Sequence, residues 1–346
     1  MTSQYSLLQQ LSDAFGPPND ETDVKTILRK ELSEFADQIK EDALGNLFIS
    51  LDGDKRYPRV MLAAHMDEVA FLITHIEETG FLRFHTLGGI TPHVMPGQRI
   101  QLRGAHGPVL AIIGTKPPHI MSDEDRKKLV PLDDLFMDVG ANSESEVKSK
   151  GIDIGTVGVF DVKFQDLGNK YLLGKAFDDR VGCAVMVQVV KNLHASKRQV
   201  VAVGTVQEEV GLRGARVAAW QVDPHYGLAL EGSFTADVPG SQPHQISAKL
   251  QSGPVIAIAD RTTLTHPTIF NTLIHVGKQH KIPYQFKKIP KGGTDAGAIH
   301  LTKAGIPSGT VAVPCRYIHG PASILHVSDY ENTIQLVTQF VKALPS

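Results

Sequence analysis

From about residue 172 onward, short apolar runs alternate with helix-patterned stretches, and this alternation constrains the fold more than any other feature of the sequence. The apolar runs lie at 200–206, 227–230, 255–258, 284–289 and 310–314. Between them come an apolar helical run at 180–193 and a helix capped by Thr265, with Pro267 in its first turn and Ile269, Leu273 and Val276 along it. A helix at 296–303 is stopped by Gly305. A last helix opens on the capping box Ser328-x-x-Glu331 and carries Ile334, Leu336, Val337, Phe340, Val341 and Leu344. Strand–helix alternation of this kind implies a largely parallel sheet with helices on both faces.

The amino-terminal part supplies more helix than sheet. Leu7, Leu8, Leu11 and Phe15 recur at helical spacing up to Gly16-Pro17-Pro18, and Val24, Ile27, Leu28, Leu32 and Phe35 form a second stripe. Strand runs follow at 47–51 and 59–64. From about 71 to 164 the texture becomes β-rich. One hairpin joins Ile73-Thr74-His75-Ile76 to Phe81-Leu82-Arg83-Phe84, and another joins 98–102 to 109–113 through His106-Gly107-Pro108. Short helical stretches are predicted at 123–129 and 144–150, the second opened by Ser143-x-x-Glu146. The predicted architecture is therefore one α/β domain, 1–69 and 165–346, interrupted by a small β-rich domain at 70–164.

Composition removes several classes of function. A net charge of −2 gives no electrostatic case for binding nucleic acid or an anionic membrane. No apolar run approaches the roughly 18 residues of a membrane span. The opening Met1-Thr2-Ser3-Gln4-Tyr5 shows no secretory leader. Cys183 and Cys315 are the only cysteines, too few for a disulfide framework, so a reducing cytoplasm is expected.

In an open α/β sheet, functional groups gather past the carboxyl ends of strands. That rule filters the 15 histidines and 37 acids to five groups. His65-Met66-Asp67-Glu68 follows the 59–64 run, and its His-x-Asp spacing suits a metal-bound imidazole oriented by a carboxylate, or simply a polar strand end. Phe177-Asp178-Asp179-Arg180 precedes a helix, as a ligand pair or as dipole-favoured acids. Gln207-Glu208-Glu209-Val210-Gly211 follows seven strand residues. Adjacent carboxylates there repel unless a cation compensates, which would leave one Glu as ligand and its neighbour as base. Glu231 ends an apolar run, and Arg316-Tyr317-Ile318-His319 follows another. Two histidines and three acids suffice for two hydrolytic metal ions sharing one carboxylate, and such mixed N/O ligation suits zinc, cobalt or manganese. Gly292-Gly293-Thr294-Asp295-Ala296-Gly297 lacks the strand-then-helix setting of a dinucleotide fingerprint.

The strings Ala63-Ala64-His65-Met66-Asp67-Glu68, Lys175-Ala176-Phe177-Asp178-Asp179-Arg180, Gln207-Glu208-Glu209-Val210-Gly211, Gly292-Gly293-Thr294-Asp295-Ala296-Gly297 and Arg316-Tyr317-Ile318-His319 resemble those of the TET-type dinuclear metallo-aminopeptidases. That family includes bacterial glutamyl aminopeptidases and proteins once labelled cellulase M. The resemblance spans essentially the whole chain, including the position and size of the insertion. It implies a zinc-exopeptidase-like mixed, largely parallel sheet sandwiched by helices, with a barrel or PDZ-like insertion that mediates subunit contacts. It also implies two divalent ions per subunit, zinc or cobalt first and manganese as an alternative. His65, Asp178 and Glu231 match the ligands of one ion; Asp178, Glu209 and His319 match those of the other, with Asp178 bridging. Asp178 is chosen over Asp179 because related zinc exopeptidases carry a glycine four residues after the bridging Asp, here Gly182. Many relatives have Asp at the position of Glu231. Glu208 matches the general base acting on a bridging water, Asp67 the acid that orients the histidine, and Thr294 and Asp295 lie on a loop near substrate. The implied activity is release of N-terminal residues from short peptides by a homo-dodecamer built from dimers. Two alternatives stay open: an amidase or deacylase acting on N-acyl amino acids with the same site, and a non-catalytic peptide-binding assembly. The preferred N-terminal residue, neutral or acidic, is not fixed by the sequence.

Overall fold

A computed structural model of the chain describes residues 5–345, apart from the side chains at 36, 118 and 125; residues 1–4, read above for a leader, lie outside it. The chain divides into two compact units, one of 1–67, 164–318 and 322–346, the other of 68–163 with 319–321.

The larger unit opens with α1 (Ser6–Asp13), α2 (Thr22–Glu31), β1 (Ile39–Glu41), β2 (Leu47–Leu51) and β3 (Val60–His65). The smaller unit follows with β4 (Ala70–Ile76), β5 (Leu82–Leu87), β6 (Arg99–Gly104), β7 (Gly107–Gly114), β8 (Phe136–Asp138), α3 (Glu144–Ser149) and β9 (Val157–Phe160). The chain then returns through β10 (Gln165–Gly168), β11 (Tyr171–Gly174), α4 (Phe177–Leu193), β12 (Val200–Thr205), α5 (Arg213–Val222) and β13 (Tyr226–Phe234). It ends with β14 (Val255–Ala257), α6 (Pro267–Gln279), β15 (Gln285–Lys287), α7 (Ala296–Ile299), β16 (Ser308–Arg316), β17 (Ser323–His326) and α8 (Val327–Ala343).

Eleven strands of the larger unit form one mixed sheet, in the order β1-β2-β12-β3-β13-β16-β17-β11-β10, with β14 on β16 and β15 on β14. The expectation of a largely parallel sheet holds only at its centre. β12, β3, β13 and β16 run parallel, as do β14 and β15, while the flanking pairs are antiparallel. Short returns such as β1 to β2 and β10 to β11 reverse the chain, whereas parallel neighbours need the long helical crossovers found between the central strands. Side-chain alternation covers both faces. Val60, Leu62 and Ala64 of β3 pack with Leu8, Val24, Val181, Val185 and Phe340, on the face of α1, α2, α4, α6 and α8. Met61 and Ala63 pack with Ala215, Ala219 and Ile299, on the face of α5 and α7.

Some predicted boundaries shift. His266, not Thr265, caps α6, its Nδ1 accepting from Thr268 N at 3.3 Å. His326 caps α8 in the same way through Ser328 N, so Ser328 lies inside the helix. The predicted helix at 296–303 shortens to the single turn of α7, and the one at 123–129 to a 3-10 turn at Asp125–Lys127.

In the smaller unit β4-β5-β8-β7-β6-β9 close into a barrel, every pair antiparallel. Both predicted hairpins are present, as β4–β5 and β6–β7. Closure removes free strand edges. The interior is apolar, with Phe71 at 5.4 Å from Phe84 and 5.1 Å from Phe160, ring to ring, both edge-on. Ser143 caps α3 as expected, accepting from Glu146 N at 3.2 Å. Among the described residues no helix is long and apolar enough to cross a membrane.

Candidate metal centre

β3 and β13 pair in parallel with Ala63 opposite Ala229. Two residues further along each strand stand His65 and Glu231, side chains on the same face because the side-chain period is two. Thr205, the last residue of β12, pairs with His65 itself. The central strands thus bring His65, Thr205 and Glu231 to one level of the sheet.

His65 is the hub. Its Nε2 lies 3.2 Å from Asp178 Oδ1, 3.6 Å from Glu231 Oε2 and 3.9 Å from Glu208 Oε2. Its Nδ1 lies 3.1 Å from the Asp67 carbonyl oxygen. An Nδ1–H donated to that carbonyl leaves the Nε2 lone pair facing the acids, the arrangement a metal-binding imidazole needs. Asp178 and Asp179 have non-helical backbone angles at the start of α4, and their side chains diverge. Asp179 is fully buried and accepts from His65 N at 3.1 Å and Gly182 N at 2.9 Å. A Cβ at Gly182 would come within 2.2 Å of that carboxylate, so the glycine makes room for it. Asp178 instead faces the His65 ring.

Asp67 does something the sequence did not suggest. Its carboxylate accepts from Glu208 N at 2.9 Å and Glu209 N at 3.0 Å, and lies 3.5 Å from His65 Nδ1. Both the backbone carbonyl and the carboxylate of Asp67 face Nδ1 of the His65 ring, and the same carboxylate also holds the Glu208–Glu209 turn. Thr294 and Asp295 have their side chains turned into the fold. The Thr294 hydroxyl lies 3.1 Å from Asp260 Oδ2 and 2.9 Å from Thr310 Oγ1. Asp295 accepts from Thr205 Oγ1 at 2.5 Å, and its own N–H reaches Glu231 Oε1 at 3.4 Å. His319 lies in the 319–321 turn that groups with the barrel unit, its Nδ1 3.0 Å from the Gly89 carbonyl oxygen. A groove of about 750 Å³, lined by residues including Lys40, Phe48, Arg59 and Val201, contains none of these side chains.

The electrostatics are those of crowded buried acids. Burial, then the charges of Glu231 and Glu209, hold Glu208 well above the usual carboxylate range despite the opposing pull of His65. Burial and the charges of Asp179, Asp178 and Asp295 do the same to Glu231, again against His65. Asp295 is pushed up to about 6, chiefly by burial. Burial works against the charged form of His65, but Glu208, Asp178, Asp67 and Glu231 overcome it and raise its pKa well above the ordinary imidazole value. Such a cluster is costly unless a cation joins it. Imidazole nitrogen with hard carboxylate oxygens is the donor set of a divalent metal. Two triads, His65–Asp178–Glu231 and His65–Glu208–Glu209, each offer three ligand atoms within 4.8 Å of one another. The residues therefore fit a metal.

The M42 glutamyl aminopeptidase family matches residues 45–336, most of the chain. The chain belongs to the M42 family. It is 36% identical over 337 residues to a putative aminopeptidase of Acetivibrio thermocellus, covering 97% of this chain and 98% of that protein. The solved TET aminopeptidase of the marine sediment archaeon Thaumarchaeota archaeon SCGC AB-539-E09 superposes with a TM-score of 0.94 at 39% identity, over 98% of this chain and 95% of that one. The Pyrococcus horikoshii TET1 peptidase, which can assemble into a tetrahedron or a large octahedral shell, superposes with a TM-score of 0.87 at 30% identity, over 99% of this chain and 100% of that one. The mixed sheet with its inserted barrel is thus the M42 fold.

Proposed function

We propose that this M42 chain is a metal-dependent aminopeptidase that releases N-terminal residues from short peptides. The observation that carries the reading is the convergence of Asp178, Glu208 and Glu231 on one imidazole nitrogen of His65 at the carboxyl ends of the central strands. His65, Asp178 and Glu231 would hold one ion. Asp178, Glu209 and His319 would hold the second, with Asp178 shared. His319 follows Arg316, the last residue of β16, by three positions in the sequence. Zinc or cobalt, with manganese as an alternative, fits these donors.

When bound, such ions supply Lewis acidity that polarises a scissile carbonyl and acidifies water. Glu208 takes the proton of the attacking water as general base and returns it to the leaving amine. Asp67 holds the backbone of Glu208 and Glu209 so that the two carboxylates serve different ends. Thr294 and Asp295 contribute to the substrate end from behind: the Asp295 N–H is aimed at Glu231. Catalysis is assigned to 1–69 with 165–346, and subunit contact to 70–164. In support of the latter, Pro108, Leu110 and Ile112 alternate along the outer side of β7, with Leu110 49% and Ile112 47% exposed. A closed homo-dodecamer built from dimers would admit only short peptides. Two unbridged cysteines support a cytoplasmic setting.

The test compares aminoacyl-nitroanilides with their N-acetylated forms on metal-loaded protein. Rapid hydrolysis of the free-amine substrates alone is expected. Release of acetate from the acetylated forms alone, with the anilide left intact, would make the protein a deacylase. Turnover unaffected by chelators would remove the metal from the account.

A further inference from the structure

The turn that presents Glu208 and Glu209 is held through its backbone from two sides. Four consecutive N–H groups each donate to a side-chain oxygen. Val206 N donates to Asn46 Oδ1 at 3.1 Å, Gln207 N to Glu21 Oε1 at 3.2 Å, and Glu208 N and Glu209 N to the two oxygens of Asp67. The carbonyls are met from the other side by the segment 211–214. Gly214 N donates to Val206 O at 3.0 Å and Arg213 N to Gln207 O at 3.3 Å, while Gly211 N and Leu212 N both donate to Glu208 O at 2.9 Å. A Cβ at Gly214 would lie 2.4 Å from both Asn46 Oδ1 and Val206 O, so only glycine lets the two segments close.

Within this cradle Glu21 is the acceptor with no simpler purpose. It occupies the N-cap of α2 but makes no side-chain cap bond. Its carboxylate turns away, accepts from Asn19 N at 2.9 Å and reaches Gln207, and is only 3% exposed. Gln207 is the strained member of the turn, with φ at +56°. Its side chain is fixed as well, between Arg213 Nη1 at 3.2 Å and Asn19 Oδ1 at 3.4 Å. Glu21 therefore holds the left-handed residue whose conformation sets the direction of the next side chain, that of Glu208.

We propose that Glu21 is a positioning residue for hydrolysis: by accepting the Gln207 N–H it fixes the backbone from which Glu208 works as base. This rests on the reading of Glu208 given above. A buried carboxylate oxygen is an acceptor whether its partner oxygen carries a proton or not, so the requirement is for an acceptor and not for a charge.

The test uses the full-length, metal-loaded protein and an aminoacyl-nitroanilide, with Glu21→Met, Glu21→Gln and Glu208→Gln assayed side by side. Glu21→Met keeps the volume and removes the acceptor. It is expected to lower kcat between about 10- and 100-fold, the loss that follows a small misplacement of a catalytic group. KM should stay within about threefold and metal content should not change. Glu21→Gln keeps an acceptor oxygen and should return kcat to within about threefold of the starting protein. If Glu21→Met keeps its kcat, or if Glu21→Gln is as slow as Glu21→Met, the proposal is overturned. Should Glu21→Met not fold, Glu21→Asp, one methylene too short to reach Gln207, gives the same reading: a slowed kcat supports the proposal and an unchanged one overturns it. Glu208→Gln separates the two layers. If it is inactive while Glu21→Met is normal, only the role of Glu21 fails; if it is fully active, the base itself has been misassigned.

Discussion

In the β4–β9 barrel the buried side chains are apolar, an interior built around Phe71 with Phe84 and Phe160 edge-on to it. At the carboxyl ends of β3, β12 and β13 the buried set is His65, Asp67, Asp179, Thr205, Glu231 and Asp295. One region spends burial on dispersion and the hydrophobic effect. The other places acids where water cannot shield them from one another, which lowers stability and raises reactivity. A chain can carry the second arrangement because the apolar layers on both faces of its sheet are large enough to absorb the cost.

The comparison breaks most visibly at Glu208. Glu208→Gln removes the proposed proton acceptor and should lower kcat by about 10³-fold, within the range for general-base loss. It also removes one of several repelling buried carboxylates, so thermal unfolding of the metal-free protein should occur at the same or a higher temperature. A variant that is both inactive and markedly less stable would contradict the contrast. The barrel should behave in the opposite sense. Phe71→Ala deletes a fully buried ring and should cost about 3–5 kcal/mol of stability by denaturant titration. The folded fraction should keep its kcat.

A third effect follows from the acids themselves. Burial and neighbouring carboxylates raise the ligand Glu231, and the surrounding acids raise the ligand His65 against its burial, so in the metal-free protein both hold protons to higher pH than the free groups do. A metal needs deprotonated ligands. Its affinity should therefore rise as pH is raised through those elevated values and level off above them, with protons released on binding in weakly buffered solution. Affinity that ignores pH from 5 to 8 would mean the acids do not face the ion. The smallest effect is expected at His106, exposed on the barrel. His106→Ala should change stability by no more than about 0.5 kcal/mol and leave the rate alone.

Much of this was legible in the sequence because strand ends are local signals. His65, Glu208, Glu209, Glu231 and His319 each follow an apolar run, and a filter for polar residues at such positions finds them. What partners they meet is not local. Asp67 reads as a companion of His65 two residues away, and its carboxylate does lie 3.5 Å from the His65 ring, but the same oxygens also accept from the backbone of Glu208 and Glu209, far along the chain. Glu21 and Asn46 carry no pattern at all. One resembles a helix cap and the other a loop residue, and only the assembled fold shows that both end at the same turn. Gly182 was noted for its spacing from Asp178, while its physical reason is the space taken by Asp179. The parallel centre of the sheet was readable from alternation, and its antiparallel flanks were not, because short strands such as β10 and β14 are too brief to show a period.

The most direct test of the account is to count ions. Metal-free protein and its Glu208→Gln variant are titrated with cobalt or zinc, and bound metal per chain is measured alongside hydrolysis of an aminoacyl-nitroanilide. Two ions per chain are expected in both proteins, with activity appearing as sites fill in the first and absent throughout in the second. Hydrolysis by protein shown to hold no metal, or a variant that loses its ions together with its activity, would contradict it.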